Sequence, residues 1–408
     1  MTSHDKFFQR RQAAAVLKHG ILRRYSIVFA SKTGFTSKGG RVVYLDGFAG
    51  PGRYAPEEGS AEGVEGSPLL AMRTAERVEG WRRQLQCIFV ERDPVYAANL
   101  RETLAAEAPE SMTYEVLQGD VSEHLEHALT TAGDSPLFAF LDPFGTGLPY
   151  ADLAGRLLAR PTPFPTEVLL NFNLEAVRRI GGLLTGDVTD APDTGREASL
   201  RRIDEFLGDD WWRQKFRAAR SAAADPQRAA AWAAEEVVRE FCGRVTVDTG
   251  YQTFLVPIRR QPHHAPLFMM ILFYRHRDAP YAFNEAVSGA NKEWRYFHHE
   301  LNLHEQQASV EPDLFGGTLV PEMLIADNMR AEKEAERGWI IDIIANIRGL
   351  VAERDAVDVR DHTAGIFGGT LGLARGMHLR AAWDHLAEEN LVQPRESGKL
   401  EKQVIRRT

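Results

Sequence analysis

The feature that most constrains this 408-residue chain is a series of short, largely apolar segments between residues 41 and 173, with helical patterns between them. RVVYLD (41–46), QCIFVE (86–91), MTYEVLQGD (112–120), PLFAFLD (137–142) and EVLLNFN (167–173) read as strands. Strands apolar on both faces need cover on both sides, and helices between them imply parallel pairing. The segments between supply those helices: Ser67 to about Val78, PVYAANLRETLAAE and VSEHLEHALTTA. Ser67-Pro68 reads as an N-cap followed by proline at the first helical position. TFLVPI (253–258) and LFMMILFYR (267–275), separated by RRQPHHAP, are expected to form an antiparallel hairpin at the end of the sheet.

The flanks differ from this core. From Phe7 to Phe29, Val16, Leu17, Ile21, Leu22 and Tyr25 recur at helical spacing with basic residues between them. The division expected is a basic helical N-terminal arm (1–40), a first core part (41–173), a helical insertion (174–245), the last strands (246–310), a linker (311–337) and a C-terminal unit (338–408). In that unit GWIIDIIANIRGLV and MHLRAAWDHLAEENL read as amphipathic helices. They precede VQPRESGKLEKQVIRRT, which has a strand–turn–strand rhythm around Ser397-Gly398. Helices followed by a basic hairpin suggest a winged helix-turn-helix.

Composition sets limits. The chain is 44% apolar and 26% charged, as in a folded globular protein. No apolar run approaches the roughly 18 residues of a membrane span, so no membrane role is expected. The basic start MTSHDKFFQRRQ lacks the apolar stretch of a secretory signal. Two distant cysteines, Cys87 and Cys242, exclude a disulfide scaffold, a cysteine-rich zinc module and an iron–sulfur site, leaving a reduced, cytoplasmic protein as the reading. Net charge is -8, but residues 1–45 hold nine Lys/Arg (including Lys18, Arg23 and Arg24) against Asp5 alone. That is +8, leaving -16 for the rest. Such a split suggests an anionic partner near one end, or simply a solubilising helix.

Chemistry is expected where the strands end. Asp46-Gly47-Phe48-Ala49-Gly50-Pro51-Gly52 follows the first strand, and its glycines let the backbone approach a ligand, although a tight structural turn has the same composition. Glu91 closes the second strand, where an acid can accept both hydroxyls of an adenosine ribose or stand solvated. Gly119-Asp120 ends the third, where Asp120 can accept from an adenine amine or cap a loop. Asp142-Pro143-Phe144-Gly145 ends the fourth. It is similar to the acid-Pro-Pro-aromatic tetrad of amino methyltransferases. In that tetrad the acid and a proline carbonyl accept hydrogen bonds from the target amine, and the ring stacks on the target base. His298-His299-Glu300 with His304 lacks the HExxH order of a zinc helix and reads as surface histidines. Trp211-Trp212 reads as core, His124 and His127 as solvated.

Seven strands with one late antiparallel member is the arrangement of class I, Rossmann-like methyltransferases. The blocks HDKFFQRRQAAAVLKHGILRRY, YLDGFAGPGRY, GSPLLA, FVERDP, LDPFGTGLP, NFN, GDDWW and NEAVSGANKEW resemble the three-Cys-motif partner (TcmP) family over residues 6–340. Its members are inferred to be S-adenosyl-L-methionine-dependent methyltransferases, often encoded beside a radical-SAM protein, which would then be a partner. VLKH, YLDGFAGPGRY and GSPLLA are also similar to the bacterial large-subunit ribosomal RNA adenine methyltransferase. The resemblance implies that Lys18 pairs with the methionine carboxylate and His19 helps close the site. It further implies that Asp46, Gly47, Phe48, Gly50, Gly52 and Ser67 hold the methionine portion. Glu91 would take the ribose, Asp120 and Val121 the adenine, and Asp142, Pro143 and Phe144 would face the acceptor. This chain departs from the ribosomal RNA enzyme at the tetrad, where Phe144 and Gly145 replace the second proline and the tyrosine. The expected reaction is methylation of an amine nitrogen on a nucleic-acid base. A small natural-product or amino-acid-like acceptor and a non-catalytic cofactor-binding partner are the alternatives.

Overall fold

The computed structural model describes residues 3–54, 63–184, 193–309 and 320–408. Residues 55–62 of the polar loop, 311–319 of the expected linker, and the side chains of Lys6, Arg10, Arg11 and His304 lie outside the described residues. Contacts divide the chain into two compact units: 25–275, and the stretch up to 24 together with 276–408.

The first helix, α1 (Ser3–Thr33), contributes its last turns to the 25–275 unit, where the Tyr25 and Phe29 rings lie 5.9 and 5.4 Å from the Phe138 ring. The alternating elements then follow: β1 (Arg41–Asp46), α2 (Ser67–Glu79), β2 (Gln84–Glu91), α3 (Pro94–Glu107), β3 (Met112–Gln118), α4 (Val121–Ala132), β4 (Leu137–Leu141), α5 (Tyr150–Asp152) and β5 (Thr166–Asn173). Four helices come next, α6 (Leu174–Gly182), α7 (Asp193–Leu207), α8 (Trp211–Ala222) and α9 (Ala229–Thr249), before β6 (Gln252–Ile258) and β7 (Phe268–Tyr274). The seven strands form one sheet in the order β3-β2-β1-β4-β5-β7-β6, parallel except for β7, which runs against both neighbours. The expected mostly parallel, Rossmann-like α/β sheet is therefore present.

Residues 174–184 and 193–249 share a continuous core with the sheet. Ala233, Val237, Phe241 and Val245 recur every four residues on α9 and are all buried. Phe241 meets Phe172 of β5 and Phe206 of α7 at ring separations of 5.5 and 5.7 Å. Trp212 is wholly buried there, as a core residue should be, and donates its indole N–H to Asp204 at 2.8 Å. One local expectation is corrected. Ser67 is the first helical residue of α2, not its N-cap, which is Gly66. The Ser67 hydroxyl instead donates to Asp46.

The other unit is built on α10 (Ala279–Ser309) and α11 (Val320–Glu353), followed by β8 (Ala356–Asp358), α12 (Thr363–Phe367), α13 (Gly376–Glu388) and β9 (Val404–Arg406). The expected linker is helical from Val320 onward. MRAEKEAERGW is polar but rich in strong helix formers, and Arg295 of α10 makes a bidentate pair with Glu332 at 2.7 and 2.9 Å. β9 pairs antiparallel with β8, and Val392 bridges to Arg407. The NEAVSGANKEW block proves to be a clamp. Asn284, Ser288 and Asn291, three or four residues apart on α10, donate to the carbonyls of Ala374, Leu373 and Gly372. Asn284 also accepts from the Gly372 N–H at 2.6 Å, and Glu285 accepts from the Gly376 N–H at 2.5 Å. Within this unit Arg23 and Arg24 both bind the Glu293 carboxylate at 2.7–2.9 Å. Two of the nine basic residues in the first 45 thus serve an internal ion pair.

Candidate functional site

Strand register brings three acids to one edge of the sheet. Asp46 lies opposite Phe89 on β2 and Phe140 on β4, so Glu91 and Asp142 each stand two residues beyond a partner of Asp46. These strands are neighbours in the sheet and all three run the same way.

Asp46 is fully buried. Its Oδ1 accepts from the Phe48 N–H at 3.3 Å, while its Oδ2 has no hydrogen-bond partner. Burial raises its carboxyl from the ordinary 3.8 to about 7; hydrogen bonds from Ser67 and Phe48 oppose the rise, and the Asp142 and Glu91 charges add to it. An unpartnered buried carboxylate oxygen is costly and is the kind of atom a ligand carrying N–H or positive charge would satisfy.

Glu91 is nearly buried and both its oxygens are engaged by backbone: Oε2 by the Gly50 N–H at 2.8 Å, Oε1 by the Asp93 N–H at 2.7 Å. A carboxylate has about four lone-pair directions, so each oxygen retains capacity for a hydroxyl donor. The glycine turn is tied down at both neighbours. The Gly47 N–H donates to Phe140 O and the Ala49 N–H to Val90 O, each at 3.0 Å. At Gly47 a Cβ would sit 2.7 Å from Leu141 and 3.1 Å from Val121, so the backbone runs closer to the fourth strand and α4 than a side chain permits. Gly50 has φ +69°, a conformation that favours glycine. Phe48 is half-buried against the core, and Gly52 is buried.

Asp120 is exposed at the start of α4, and its N–H donates to Glu123 Oε2 at 3.3 Å, so the loop-capping role open to it in the sequence is realised on its backbone side. Val121 behind it is buried. Asp142 accepts at Oδ1 from Asn171 Nδ2 at 2.6 Å. Pro143 is buried, and Phe144 presents its ring to solvent at 75% exposure. Asp46, Gly47, Phe48, Gly50, Gly52, Ser67, Glu91, Asp120, Val121, Asp142, Pro143 and Phe144 all belong to the 25–275 unit. Lys18 and His19, half-buried on α1, belong to the other.

Two residues of this region escaped sequence reasoning. Tyr54 overhangs the glycine turn, where its hydroxyl would lie 2.8 Å from a Cβ on Gly50. Partial burial and the charges of Asp142, Asp46 and Glu91 push it up to about 12. Asn171 grips Asp142; its signal was an amide between the apolar Leu170 and Phe172. His298 corrects an expectation in the other direction. It is 8% exposed rather than superficial, with its ring 4.5 Å from Trp294 one turn earlier on α10. Among the described residues no group of His, Cys, Asp and Glu is arranged to hold a metal ion. Cys87 and Cys242 are buried free thiols, and no described helix is long and apolar enough to cross a membrane.

No protein-family model matches the chain, and no curated protein is significantly similar to it.

Proposed function

We propose that this protein is an S-adenosyl-L-methionine-dependent methyltransferase of the class I type that directs the methyl group to an amine nitrogen. The observation that carries the reading is the acid pair Asp46 and Glu91 on adjacent parallel strands with the Gly47–Gly52 turn between them, in a seven-stranded sheet whose β7 alone is reversed. The residues fit the cofactor: Asp46 Oδ2 is a buried acceptor lacking a donor, and the turn leaves no room for side chains at Gly47. On this reading Asp46 and the turn hold the methionine portion, Glu91 the ribose and Asp120 with Val121 the adenine.

When bound, S-adenosylmethionine supplies an electrophilic methyl carbon on a sulfonium, a leaving group that needs no acid catalysis. The chain's own work is alignment and exclusion of water. Asp142 and the Pro143 carbonyl accept from the acceptor N–H groups, which turns the nitrogen lone pair toward the methyl. The exposed Phe144 ring offers a stacking face for a planar acceptor. An amine nitrogen that gains a methyl group must lose a proton, which Asp142 would take up and pass to water.

The acceptor we favour is a nucleic-acid base. The order α11, β8, α12, α13, β9 supports a winged helix-turn-helix for the C-terminal unit, and Lys399, Lys402, Arg406 and Arg407 near its end are exposed. One observation favours a second reading, a small natural-product or amino-acid-like acceptor. The N-terminus of α13, the end a helix-turn-helix offers to a duplex, is held by Glu285 through the Gly376 N–H. The C-terminal unit would then serve assembly. The sequence blocks support a TcmP-like protein, which would place a radical-SAM enzyme among its partners, and a non-catalytic cofactor-binding role is the remaining form of that reading.

The test is isothermal calorimetry with S-adenosylmethionine, followed by transfer of tritiated methyl to single-stranded RNA and DNA. Binding and transfer by the wild-type chain support the reading. A chain that binds no S-adenosylmethionine sinks it. Transfer to nucleic acid that falls steeply with salt separates the base reading from the small-molecule one.

A further inference from the structure

We propose that Asn171 is a positioning residue for Asp142, and that through it the site selects an acceptor bearing N–H. The inference rests on Asp142 being the group that faces the acceptor. Val168, Leu169, Leu170 and Phe172 surround Asn171 in β5, all buried and apolar, and Asn171 itself is 0% exposed. Its backbone pairs with Met270 of β7 whatever side chain it carries, so the sheet has no need of an amide there.

An amide at this place is a loss for the fold. Asn171 Nδ2 donates to Asp142 Oδ1 at 2.6 Å, but Asn171 Oδ1 is buried without a partner. A valine or leucine would avoid that unpaired acceptor. The amide orientation follows from chemistry, since an ionised carboxylate only accepts and must be met by the NH₂ end. Register creates the contact. Leu170 pairs with Leu141, so Asn171 and Asp142 are the next neighbours along the two strands. Two residues on, Asn173 Nδ2 reaches the Phe144 carbonyl at 3.5 Å, and its own Oδ1 accepts from the Ala176 N–H at 2.9 Å. Both ends of the Asp142–Phe144 segment are thus held from β5.

The consequence is directional. A donor fixed on one carboxylate oxygen sets the plane of Asp142, and small errors in such placement are expensive in rate. Asn171 also keeps Asp142 an acceptor, so the group it addresses must carry N–H. A carboxylate or phosphate oxygen offered as methyl acceptor would bring negative charge to the edge of the sheet that already holds Asp46, Glu91 and Asp142.

The experiment uses the full-length chain with Asn171→Leu and Asn171→Asp, tritiated S-adenosylmethionine as donor and mixed-sequence single-stranded RNA and DNA oligonucleotides as probes. Asn171→Leu is expected to lower kcat by about 100-fold, while KM for the oligonucleotide and affinity for S-adenosylmethionine stay within about threefold. In Asn171→Asp, a proton shared between the two carboxyls can still be donated to Asp142. This variant should therefore work at pH 6 and lose turnover toward pH 9, whereas the wild type does not lose it. A merely structural amide would give no such profile. Crystal structures of the two variants supply a readout independent of acceptor and cofactor: the Asp142 carboxylate is expected rotated in Asn171→Leu and held in Asn171→Asp. If wild-type chain binds S-adenosylmethionine but methylates neither nucleic acid, the base reading fails and the Asp142 conformations still decide the positioning role. Asp142 unmoved in Asn171→Leu, or kcat within threefold of wild type, overturns it. Should Asn171→Leu not fold, the Asn171→Asp pH profile and structure decide alone.

Discussion

The Gly50 N–H donates to Glu91 Oε2 at 2.8 Å, so the turn after β1 is anchored to the end of β2 by a charge-assisted hydrogen bond. Because Asp93 uses the other oxygen, one side chain fixes two successive loop starts. Each such bond contributes about 1.5–3 kcal/mol. Glu91→Ala should therefore cost stability as well as ligand binding, which confounds it. Glu91→Gln separates the two, since its amide oxygen can keep one backbone donor. We expect Glu91→Gln to fold with a Tm within several degrees of wild type and to bind S-adenosylmethionine at least ~30-fold more weakly, about 2 kcal/mol. Calorimetry showing unchanged affinity would remove Glu91 from the proposed site.

Asp46 makes a pH prediction whose sign is unusual for an acid. Its folded value, about 7, lies above the ordinary 3.8, so the folded chain holds a proton there that the unfolded chain releases. Stability from this group is full below pH 4 and is lost as pH rises to 7, by about 4 kcal/mol in all. Asp46→Asn should raise Tm at pH 8 and change it little at pH 4.5, while abolishing S-adenosylmethionine binding. A Tm gain equal at both pH values would show that burial does not strain this carboxyl.

Glu167 provides the control. It is buried on β5, accepts from the Tyr25 hydroxyl at 2.7 Å, and burial raises it from 4.5 to about 7, with the Tyr25 bond and Lys32 opposing. The sign is the same as for Asp46, and the window runs from 4.5 to about 7. Glu167→Gln keeps an acceptor for Tyr25, so it should also stabilise the fold at pH 8. Unlike Asp46→Asn, it should leave S-adenosylmethionine affinity intact. Loss of binding in both variants would mean that calorimetry is reading general damage rather than the site.

These contrasts show what could be read in the chain and what could not. The strands around Asp46, Glu91 and Asp142 were legible because continuous apolar runs ending in glycine turns are local signals. That the three acids meet was also inferable, since parallel strands align their carboxyl ends. The Asn171–Asp142 contact depends on a register between β4 and β5, and register is set by packing rather than by either segment. Glu167 hid for the same reason, as one acid in an apolar run with a partner 142 residues away. α11 was misread from Val320 to Arg337 because exposed helices carry polar sequences that resemble linkers. The NEAVSGANKEW block looked like part of a family signature, and its Asn284, Ser288 and Asn291 turned out to face the loop at Gly372–Ala374.

That clamp yields a fourth prediction. Asn284 is fully buried and exchanges two hydrogen bonds with the loop before α13, donating to Ala374 O and accepting from the Gly372 N–H. Asn284→Ala leaves both backbone groups buried and unpaired, at about 1–3 kcal/mol each. Amide hydrogen exchange at Gly372 should quicken at least ~30-fold, while exchange in β1 and β4 stays unchanged. Exchange that stays slow at Gly372 would mean the loop is held without the α10 polar row.

Phe144 separates binding from folding most cleanly. At 75% exposure its ring contributes little to the core, so Phe144→Ala should shift the unfolding free energy by no more than about 0.5 kcal/mol. S-adenosylmethionine affinity should also be unchanged, since the ring lies beyond Asp142 and Pro143 from the Asp46–Glu91 pair. If a planar base stacks there, the contact is worth about 1–3 kcal/mol, so KM for a single-stranded oligonucleotide should rise about 5- to 150-fold. Phe144→Trp should restore it, because a larger face stacks at least as well. An Ala variant with wild-type KM would move the acceptor away from this ring and favour a small amine held by Asp142 and Pro143 alone.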